Sequence, residues 1–151
     1  MEIRKSKTEE VKILTEISKN AFLSDIYLNS PEPVGPPDFD SEEWHQEMIN
    51  SGNLFSIIDD NKLIGGLIIF RDENQKNIMY LGRIFIDTKL HRTGYGEKAM
   101  LLLEKLYPDI EFWKLDTPIW NKRTNNFYIK LGYTETNRDN EFIYYQKQIK
   151  K

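Results

Sequence analysis

The sequence predicts an α/β (α+β) fold, in which a mixed, mostly antiparallel central sheet has helices on both faces and contains one parallel β-α-β crossover. Three apolar, β-prone stretches follow one another at residues 54–58, 63–71 and 78–86, with polar turns between them. This order predicts an antiparallel meander. A helical pattern that begins at Gly96 separates the third strand from another at 112–117. Such an order pairs the two strands in parallel through a right-handed crossover.

The first helix follows a short strand at residues 2–4. Thr8 is predicted to cap this helix, because a hydroxyl at a helix start can accept a backbone hydrogen bond. Its apolar side chains recur at helical spacing at Val11, Leu14, Ile17 and Ala21 or Phe22. These positions predict a helix with one buried face.

The proline-rich segment at residues 23–39 is predicted to be a loop. Each proline fixes φ and lacks an N–H donor, and the segment contains Pro31, Pro33, Pro36 and Pro37. Asp40 and Glu43 have the character of a capping box and predict a second helix that reaches about Asn50. Gly52 then ends that helix.

The second half of the chain predicts two helices and a hairpin. The crossover helix carries an apolar stripe at Ala99, Leu102, Leu103 and Leu106. Asn121 can cap a short helix over residues 122–131, which Gly132 closes. Residues 133–136 and 142–149 form the last predicted hairpin.

Composition restricts the classes of function. The chain has 151 residues, 39% of them hydrophobic, and a net charge of −3, which suits one domain over residues 1–151 and disfavours nucleic-acid binding. It contains no cysteine, so thiolate metal sites and cysteine nucleophiles are excluded, and its two histidines are far apart, so we expect no metal site. There is no signal-peptide pattern and no membrane-spanning apolar run. We therefore expect a cytoplasmic protein without a membrane partner.

The turn before the crossover helix has the features of a phosphate cradle. Gly94 and Gly96 lie at the start of the helix, and without a Cβ atom they let a bulky anion approach the backbone. A helix N-terminus also offers unpaired N–H groups and a partial positive charge. Lys89 and Arg92 add formal positive charge. From these residues alone, an ordinary tight turn stays open as the alternative.

Three motifs, in this order and with these separations, resemble the GNAT superfamily of N-acetyltransferases. Residues 86–96, IDTKLHRTGYG, are similar to the family's acetyl-CoA motif V-x-P-x-x-[QR]-x-x-G-x-[GA]. Residues 115–121, LDTPIWN, resemble the strand that ends in an asparagine before the last helix. Residues 121–133, NKRTNNFYIKLGY, resemble N-x-x-A-x-x-[FL]-Y-x-x-x-G-[FY]. The sequence is thus similar to bacterial-type, single-domain GNAT enzymes.

The resemblance implies that acetyl-CoA is the co-substrate and that its acetyl group passes to a primary amine of a small molecule or a peptide. It implies a cradle for the pyrophosphate at His91, Arg92, Thr93, Gly94, Tyr95 and Gly96. It implies a splayed strand that pairs with the pantetheine arm at Ile84, Phe85 and Ile86. Asn121 is implied as a further cofactor ligand, with a plain helix cap as the alternative.

Tyr128 is implied as the general acid that protonates the departing thiolate, with an aromatic core residue as the alternative. A thiol titrates near pH 8.5 and a phenol near pH 10, so this proton transfer is uphill by only about 2 kcal/mol. The general base stays open between a water chain and the carboxylates of Asp87, Asp116 and Glu43. Candidates for the acceptor mouth are the aromatic residues Trp44, His45, Tyr27 and Trp120.

Three positions depart from the family pattern. His91 stands where glutamine or arginine is usual, but an imidazole can still donate a hydrogen bond to a phosphate. Thr88 replaces a proline and Thr124 replaces an alanine. None of these changes removes the backbone cradle.

Other functions fit some of the same residues. Residues 94–99 match the dinucleotide fingerprint, with Asp116 about 20 residues further on. An antiparallel meander precedes them, however, where that fingerprint requires β-α-β units. An acyl-CoA-binding sensor of the same fold is a second alternative, against which Asn121 and Tyr128 both argue. The last strand can pair with a second copy, so a homodimer is also open.

Overall fold

The computed structural model describes residues 1–29 and 35–149, and the side chains of residues 25–29 lie outside that description. Its strands are β1 (Glu2–Lys5), β2 (Leu54–Asp59), β3 (Lys62–Arg71), β4 (Ile78–Ile86), β5 (Phe112–Pro118), β6 (Thr134–Arg138) and β7 (Phe142–Gln148). Its helices are α1 (Val11–Asn29), α2 (Glu42–Asn50), α3 (Tyr95–Leu106) and α4 (Lys122–Lys130), with 3₁₀ turns at Thr8–Glu10 and Thr88–Leu90. No helix in the described ranges has both the length and the apolar character needed to cross a membrane.

In the described part of the chain, the strands form one sheet in the order β1-β2-β3-β4-β5-β7-β6. Neighbouring strands pair in antiparallel except for β4 and β5, which are parallel. The predicted meander corresponds to β2, β3 and β4, and α3 is the crossover between the parallel strands. The predicted fold class is therefore confirmed.

Helices cover both faces of this sheet. Phe85 and Ile86 are adjacent on β4 but belong to different hydrophobic clusters. Since successive side chains of a strand point to opposite faces, the two clusters lie on opposite sides of the sheet. The cluster with Ile86 also contains residues of α3 and α4, namely Ala99, Leu103 and Tyr128. The cluster with Phe85 contains residues of α1, namely Leu14, Ile17 and Ala21, and α2 packs against it.

The helix α1 is longer than the sequence predicts. The proline-rich segment predicts a loop from residue 23, but the helix continues to Asn29. Residues 23–29 contain neither proline nor glycine, and a proline disfavours the helix mainly at its own position and at the residue before it. Pro31 and Pro33 lie outside the described residues, so the predicted loop is wrong over residues 23–29.

Two details of the other helices also differ from prediction. At the start of α2, the hydroxyl of Ser41 accepts the N–H of Trp44 at 3.0 Å, so Ser41 and not Asp40 is the cap. In α3, Met100 is buried and Leu106 is 47% exposed. Leu106, at the end of α3, is therefore exposed to solvent, although it fits the apolar spacing.

Glu10 takes the place of Thr8 in organising the start of α1. Thr8 begins a 3₁₀ turn, and the Glu10 carboxylate accepts the N–H of Lys7 at 2.9 Å. Arg4 donates to both carboxylate oxygens at 2.9 and 2.8 Å, and the Ser56 hydroxyl donates to one of them at 3.0 Å. These hydrogen bonds, that of Arg4 first, lower the pKa of Glu10 to about 2.

We expect Glu10→Gln to lower the free energy of unfolding near neutral pH by on the order of 2 kcal/mol. The pKa of Glu10 is lower in the folded chain than the value of about 4.3 for an unfolded glutamate. Its stabilising contribution is thus present above the unfolded pKa and is lost as the pH falls toward 2. Urea unfolding of both proteins at neutral pH and near pH 3 measures this, and the gap between them should narrow in acid. An equal gap at both pH values would contradict the assignment.

The strands β4 and β5 stay paired over only part of their length. Their register joins Ile78 to Phe112, Met79 to Trp113 and Tyr80 to Lys114. Beyond these pairs β4 keeps its pairing with β3 as far as Ile86, but no described strand pairs with its other edge. The backbone N–H and C=O groups of residues 81–86 that point away from β3 therefore have no strand partner on that edge. The expected splay of the strand is found at this point.

Candidate active site

A cleft of about 1430 Å³ opens where β4 and β5 separate. Its walls come from the end of β4, the turn before α3, the end of β5 and the helix α4. Residues selected from the sequence that line it are Ile84, Phe85, Ile86, His91, Arg92, Gly94, Tyr95, Gly96, Trp120, Asn121 and Tyr128. The fold thus brings three separate sequence motifs into one cavity. Thr93 is exposed on the same turn, and its hydroxyl donates to the carbonyl of Leu90.

The turn before α3 presents its backbone to the cleft. Arg92 and Gly94 have positive φ angles of 66° and 84°, so the chain reverses tightly before the helix begins. The N–H of Lys98 donates to the carbonyl of Gly94 at 3.1 Å, and the N–H groups that precede it in α3 have no acceptor within the helix. A Cβ atom built on Gly94 meets no atom within 4 Å. This open helix N-terminus fits an anionic group such as a pyrophosphate.

The two glycines of the turn serve different purposes. Gly94 adopts a left-handed backbone that favours glycine and faces open space. A Cβ atom on Gly96 would lie 3.4 Å from two atoms of the Phe127 ring. Gly96 therefore also lets the start of α3 pack against α4, which keeps the turn close to the helix that carries Tyr128.

His91 is tied to the end of β4. Its Nε2 lies 2.9 Å from the carbonyl oxygen of Ile86, and because a carbonyl only accepts, Nε2 carries the proton of this bond. A neutral imidazole has a single N–H, so in this form the proton holds the turn to the strand. A hydrogen bond from His91 to a phosphate requires the ring to be doubly protonated.

Tyr128 is both a core residue and a residue of the cleft. Its side chain is 6% exposed and lines the cavity. Its ring packs against Tyr133 and Tyr145, with centroid separations of 5.7 and 6.4 Å. The two alternatives that the sequence leaves open for Tyr128 are therefore compatible, since packing fixes the ring while one side of it faces the cleft.

The end of β5 is joined to α4 by buried polar side chains. Asn121 caps α4 by accepting the N–H of Thr124 at 3.2 Å, which confirms the predicted cap. Thr124, where the family usually has alanine, lies 2.6 Å from the hydroxyl of Thr117 on β5. Asn125, which is not among the residues that the sequence predicts for the site, donates to the carbonyls of Pro118 and Asn121 at 3.0 and 2.8 Å. Its position on the buried face of a short helix is the signal that could have identified it.

Comparison with known sequences identifies the family. A sequence model of the acetyltransferase (GNAT) family matches residues 20–133. The chain belongs to the GNAT family. Acetyl-CoA is the acetyl donor of this family, so the predicted family and the predicted co-substrate are both confirmed. The uncharacterized protein YrkN of Bacillus subtilis (strain 168) is 28% identical over 140 residues, which cover 82% of this GNAT chain and 74% of YrkN.

Solved GNAT structures share the fold of this chain. The PaiA N-acetyltransferase from Thermoplasma acidophilum, in complex with coenzyme A, has a TM-score of 0.80 and 18% identity, and the match covers 98% of both chains. A GNAT family acetyltransferase from Listeria monocytogenes 4b F2365 has a TM-score of 0.75 and 17% identity, and the match covers 98% of this chain and 94% of that one. At these identities the likeness concerns the fold.

The three candidate bases of this GNAT chain lie in different surroundings. Asp87 accepts the N–H of Lys89 at 3.0 Å and caps the 3₁₀ turn. Glu43 is exposed in the first turn of α2. Asp116 is the one of the three that lines the cleft. Partial burial there raises the pKa of its carboxyl, and the negative charge of Asp139 adds to the effect.

The four aromatic candidates for the acceptor mouth do not lie together. Trp120 lines the cleft, and the side chain of Tyr27 lies outside the described residues. His45 is fully buried, where burial lowers its pKa, and its Nδ1 donates to the carbonyl of Ser41 at 2.7 Å. Trp44 does not line the cleft; its ring stacks on the guanidinium group of Arg83 at 4.2 Å. Arg83 does line the cleft, although it is not among the residues that the sequence predicts for the site.

Proposed function

We propose that this GNAT protein transfers the acetyl group of acetyl-CoA to a primary amine, with Tyr128 as the general acid. The observation that carries the proposal is the convergence of three features in one cleft. These are the open helix N-terminus at Gly94, the unpaired edge of β4 and the hydroxyl-bearing ring of Tyr128. Together they supply an anion site, a backbone edge for amide groups and a proton donor.

The cradle and the strand edge hold the co-substrate in this proposal. The N–H groups at the start of α3 bind the pyrophosphate, since they are donors at the positive end of the helix dipole. The N–H and C=O groups of residues 81–86 that point away from β3 pair with the amides of the pantetheine arm, as a neighbouring strand would. The carbonyl of Ile86 is not among them, because it accepts from His91. Asn121 caps α4 and lines the same wall, so it contributes chiefly by positioning Tyr128.

The chemistry that these residues serve is acyl transfer. The acceptor nitrogen attacks the thioester carbonyl carbon, so that a C–N bond forms and the C–S bond breaks. Tyr128 donates its phenolic proton to the departing thiolate, a transfer uphill by only about 2 kcal/mol for unperturbed groups. The packed ring of Tyr128 fixes the position of that proton.

Asp116 is our candidate for receiving the proton of the acceptor nitrogen. An alkylammonium titrates near pH 10.4 and has no lone pair, so the attacking species is the fraction of acceptor that has already released a proton to water and is present as free amine. As the C–N bond forms, the nitrogen of that amine becomes positively charged and acidic, and the carboxylate of Asp116 receives its proton. The raised pKa of Asp116 makes it a better proton acceptor than an ordinary aspartate. A water chain between Asp116 and the nitrogen is compatible with this role.

Acetyl-CoA is expected to raise the melting temperature of the protein, whereas NAD is not. A ligand that binds only the native state stabilises it by about 2.7 kcal/mol at a hundredfold excess over its dissociation constant. Thiol release from acetyl-CoA, measured with a panel of primary amines and mass spectrometry of the products, then identifies turnover.

The outcomes separate the candidate functions. Binding of acetyl-CoA with acetylated product supports the proposal. Binding without turnover of any amine favours an acyl-CoA-binding sensor of the same fold. Stabilisation by NAD and none by acetyl-CoA would overturn both.

The single-domain organisation, the cytoplasmic location and the homodimer stay predictions. Size-exclusion chromatography with light scattering tests whether the protein is a homodimer.

A further inference from the structure

Arg83 is an unusual residue for its place in the sheet. It lies on β4, opposite Ile68 of β3, between strand residues that are otherwise apolar or glycine. Its guanidinium group lines the cleft and is stacked on the ring of Trp44 at 4.2 Å. Stacking of this kind fixes the plane of the guanidinium group and removes water from one of its faces.

The hydrogen-bonding capacity of this group is only partly used. Its Nη2 donates to the carbonyl of Pro37. Its Nη1 is buried, and within the described residues it has no hydrogen-bond partner. An unsatisfied buried donor is costly, and more so when it carries charge. Arg83 thus combines a place in the lining of the cleft with a donor, Nη1, that is covered and unpaired, and no carboxylate among the described residues is close enough to form an ion pair with it.

The surrounding charges do not neutralise Arg83. Asp38 is the negative group that acts on it, and this interaction raises the pKa of Arg83, but burial is the larger effect and lowers the pKa to about 10. His45 packs edge-on against Trp44 at 5.0 Å. Burial lowers the pKa of His45, and the positive charge of Arg83 lowers it further. Both effects disfavour a second positive charge beside Arg83, which is itself half-buried.

The face of the sheet decides what Arg83 can bind. Arg83 and Phe85 are two residues apart on β4, so both point to the α1 and α2 side, where Trp44 and Phe85 pack. The cradle and Tyr128 lie with α3 and α4 on the other side.

Asp116 of β5 points to the same side of the sheet as Arg83. Its neighbours Trp113 and Leu115 belong to the α3 and α4 side, and successive side chains of a strand alternate between faces. Arg83 is therefore placed toward the acceptor rather than toward the co-substrate.

We propose that Arg83 binds a carboxylate of the acceptor, so that the acceptor is an amino acid or a related amine that also carries a carboxylate. This inference rests on the proposed acetyl transfer and specifies its substrate class. A carboxylate matches the single positive charge of Arg83 and can accept a charge-assisted hydrogen bond from the unpaired Nη1. A phosphate dianion would leave one negative charge uncompensated in a partly buried site. Asp116 attracts the ammonium group of the same molecule from the neighbouring strand.

Matched pairs of acceptors test this proposal. Each of a panel of L-amino acids is compared with its carboxamide, which keeps the amine and side chain and removes the negative charge. We expect at least one amino acid to be acetylated with a kcat/KM about 10- to 100-fold above that of its carboxamide, the value of a charge-assisted hydrogen-bonded pair. Carboxamides that react as well as the acids throughout the panel would overturn the proposal.

Variants of Arg83 assign the preference to this residue. In Arg83→Gln the acid-to-carboxamide ratio should fall to about 1, while the rate with the carboxamide and the KM for acetyl-CoA stay unchanged. Arg83→Lys keeps the charge without the planar fork. Its acid-to-carboxamide ratio should lie between that of the wild type and that of Arg83→Gln. The Lys variant also provides the test if the Gln variant does not fold. A preserved ratio in either folded variant, or a raised KM for acetyl-CoA, would show that Arg83 has another partner.

A binding measurement keeps the two proposals distinguishable. Isothermal titration of each amino acid and its carboxamide is carried out on the wild-type protein in the presence of coenzyme A. Tighter binding of the acid, lost in Arg83→Gln, supports the carboxylate site even if no amine is acetylated, and in that case only the proposed transfer fails. Equal binding of acid and carboxamide counts against the site, whether or not some amine without a carboxylate is acetylated.

Discussion

Tyr128→Phe is expected to lower the turnover number by about 10²- to 10⁴-fold, the usual contribution of a positioned general acid. The change keeps the ring, and so keeps its packing against Tyr133 and Tyr145, but removes the proton that the departing thiolate needs. The KM for acetyl-CoA should change little, because the hydroxyl acts as the C–S bond breaks rather than in ground-state binding. Steady-state thiol release with a good acceptor, beside a melting curve, measures both quantities.

Tyr133→Phe is a matched control for this experiment. The hydroxyl of Tyr133 is buried and, in the described part of the chain, has no hydrogen-bond partner, so its removal deletes an unsatisfied polar group. This variant should have the turnover number of the wild type and be at least as stable as the wild type. A folded Tyr128→Phe protein with undiminished turnover would remove Tyr128 from the mechanism. The proton source would then be water or the acceptor itself.

Local sequence patterns were sufficient to predict the parts of the structure that depend on residues close together in the chain. The meander follows from strands separated by short polar turns, and the crossover follows from a helix between two strands. The turn at Gly94 and the cap at Asn121 were also predictable, because a positive φ angle and an unpaired helix end favour particular residue types. These features needed no knowledge of distant contacts.

The sequence was less informative where several neighbours compete or where distant residues meet. Ser41 and Asp40 are both competent caps, and only the path of the chain selects Ser41. The extension of α1 depends on residues that carry no strong signal in either direction. Trp44 was a candidate for the acceptor mouth because of its residue type, but its partner is Arg83, 39 positions further along the chain. No periodicity reveals that a cation will stack on this ring.

The candidate site likewise has features that could be predicted from the sequence and features that could not. The resemblance to the GNAT family implied that residues from β4, the turn before α3 and α4 would meet, and they line one cleft. It could not choose among Asp87, Asp116 and Glu43, because each is an ordinary carboxylate in sequence. The structure distinguishes them by position, since Asp87 caps a turn, Glu43 faces solvent and Asp116 lies in the cleft.

Gly94→Asp is expected to weaken acetyl-CoA binding by about a hundredfold or more without unfolding the protein. A carboxylate at this position points into the space in front of the α3 N-terminus, where the pyrophosphate charge is expected. At about 5 Å and an effective dielectric constant of about 20, two like charges repel by about 3 kcal/mol, which corresponds to more than a hundredfold in the dissociation constant. Isothermal titration with acetyl-CoA measures the loss directly.

Gly94→Asn separates charge from size in this experiment. Asparagine and aspartate have nearly the same shape, and both tolerate a left-handed backbone better than other side chains, so the strain at a φ angle of 84° is shared by the two variants. A Cβ atom at this position meets no neighbour within 4 Å, and both proteins should therefore fold with similar melting temperatures. The asparagine variant should bind acetyl-CoA much more tightly than the aspartate variant, and added salt should narrow the difference because it screens the repulsion.

Equal affinity of the wild type and a folded Gly94→Asp protein would mean that the phosphates bind elsewhere. Equal losses of acetyl-CoA affinity in the aspartate and asparagine variants would mean that the volume of the side chain, and not its charge, prevents binding.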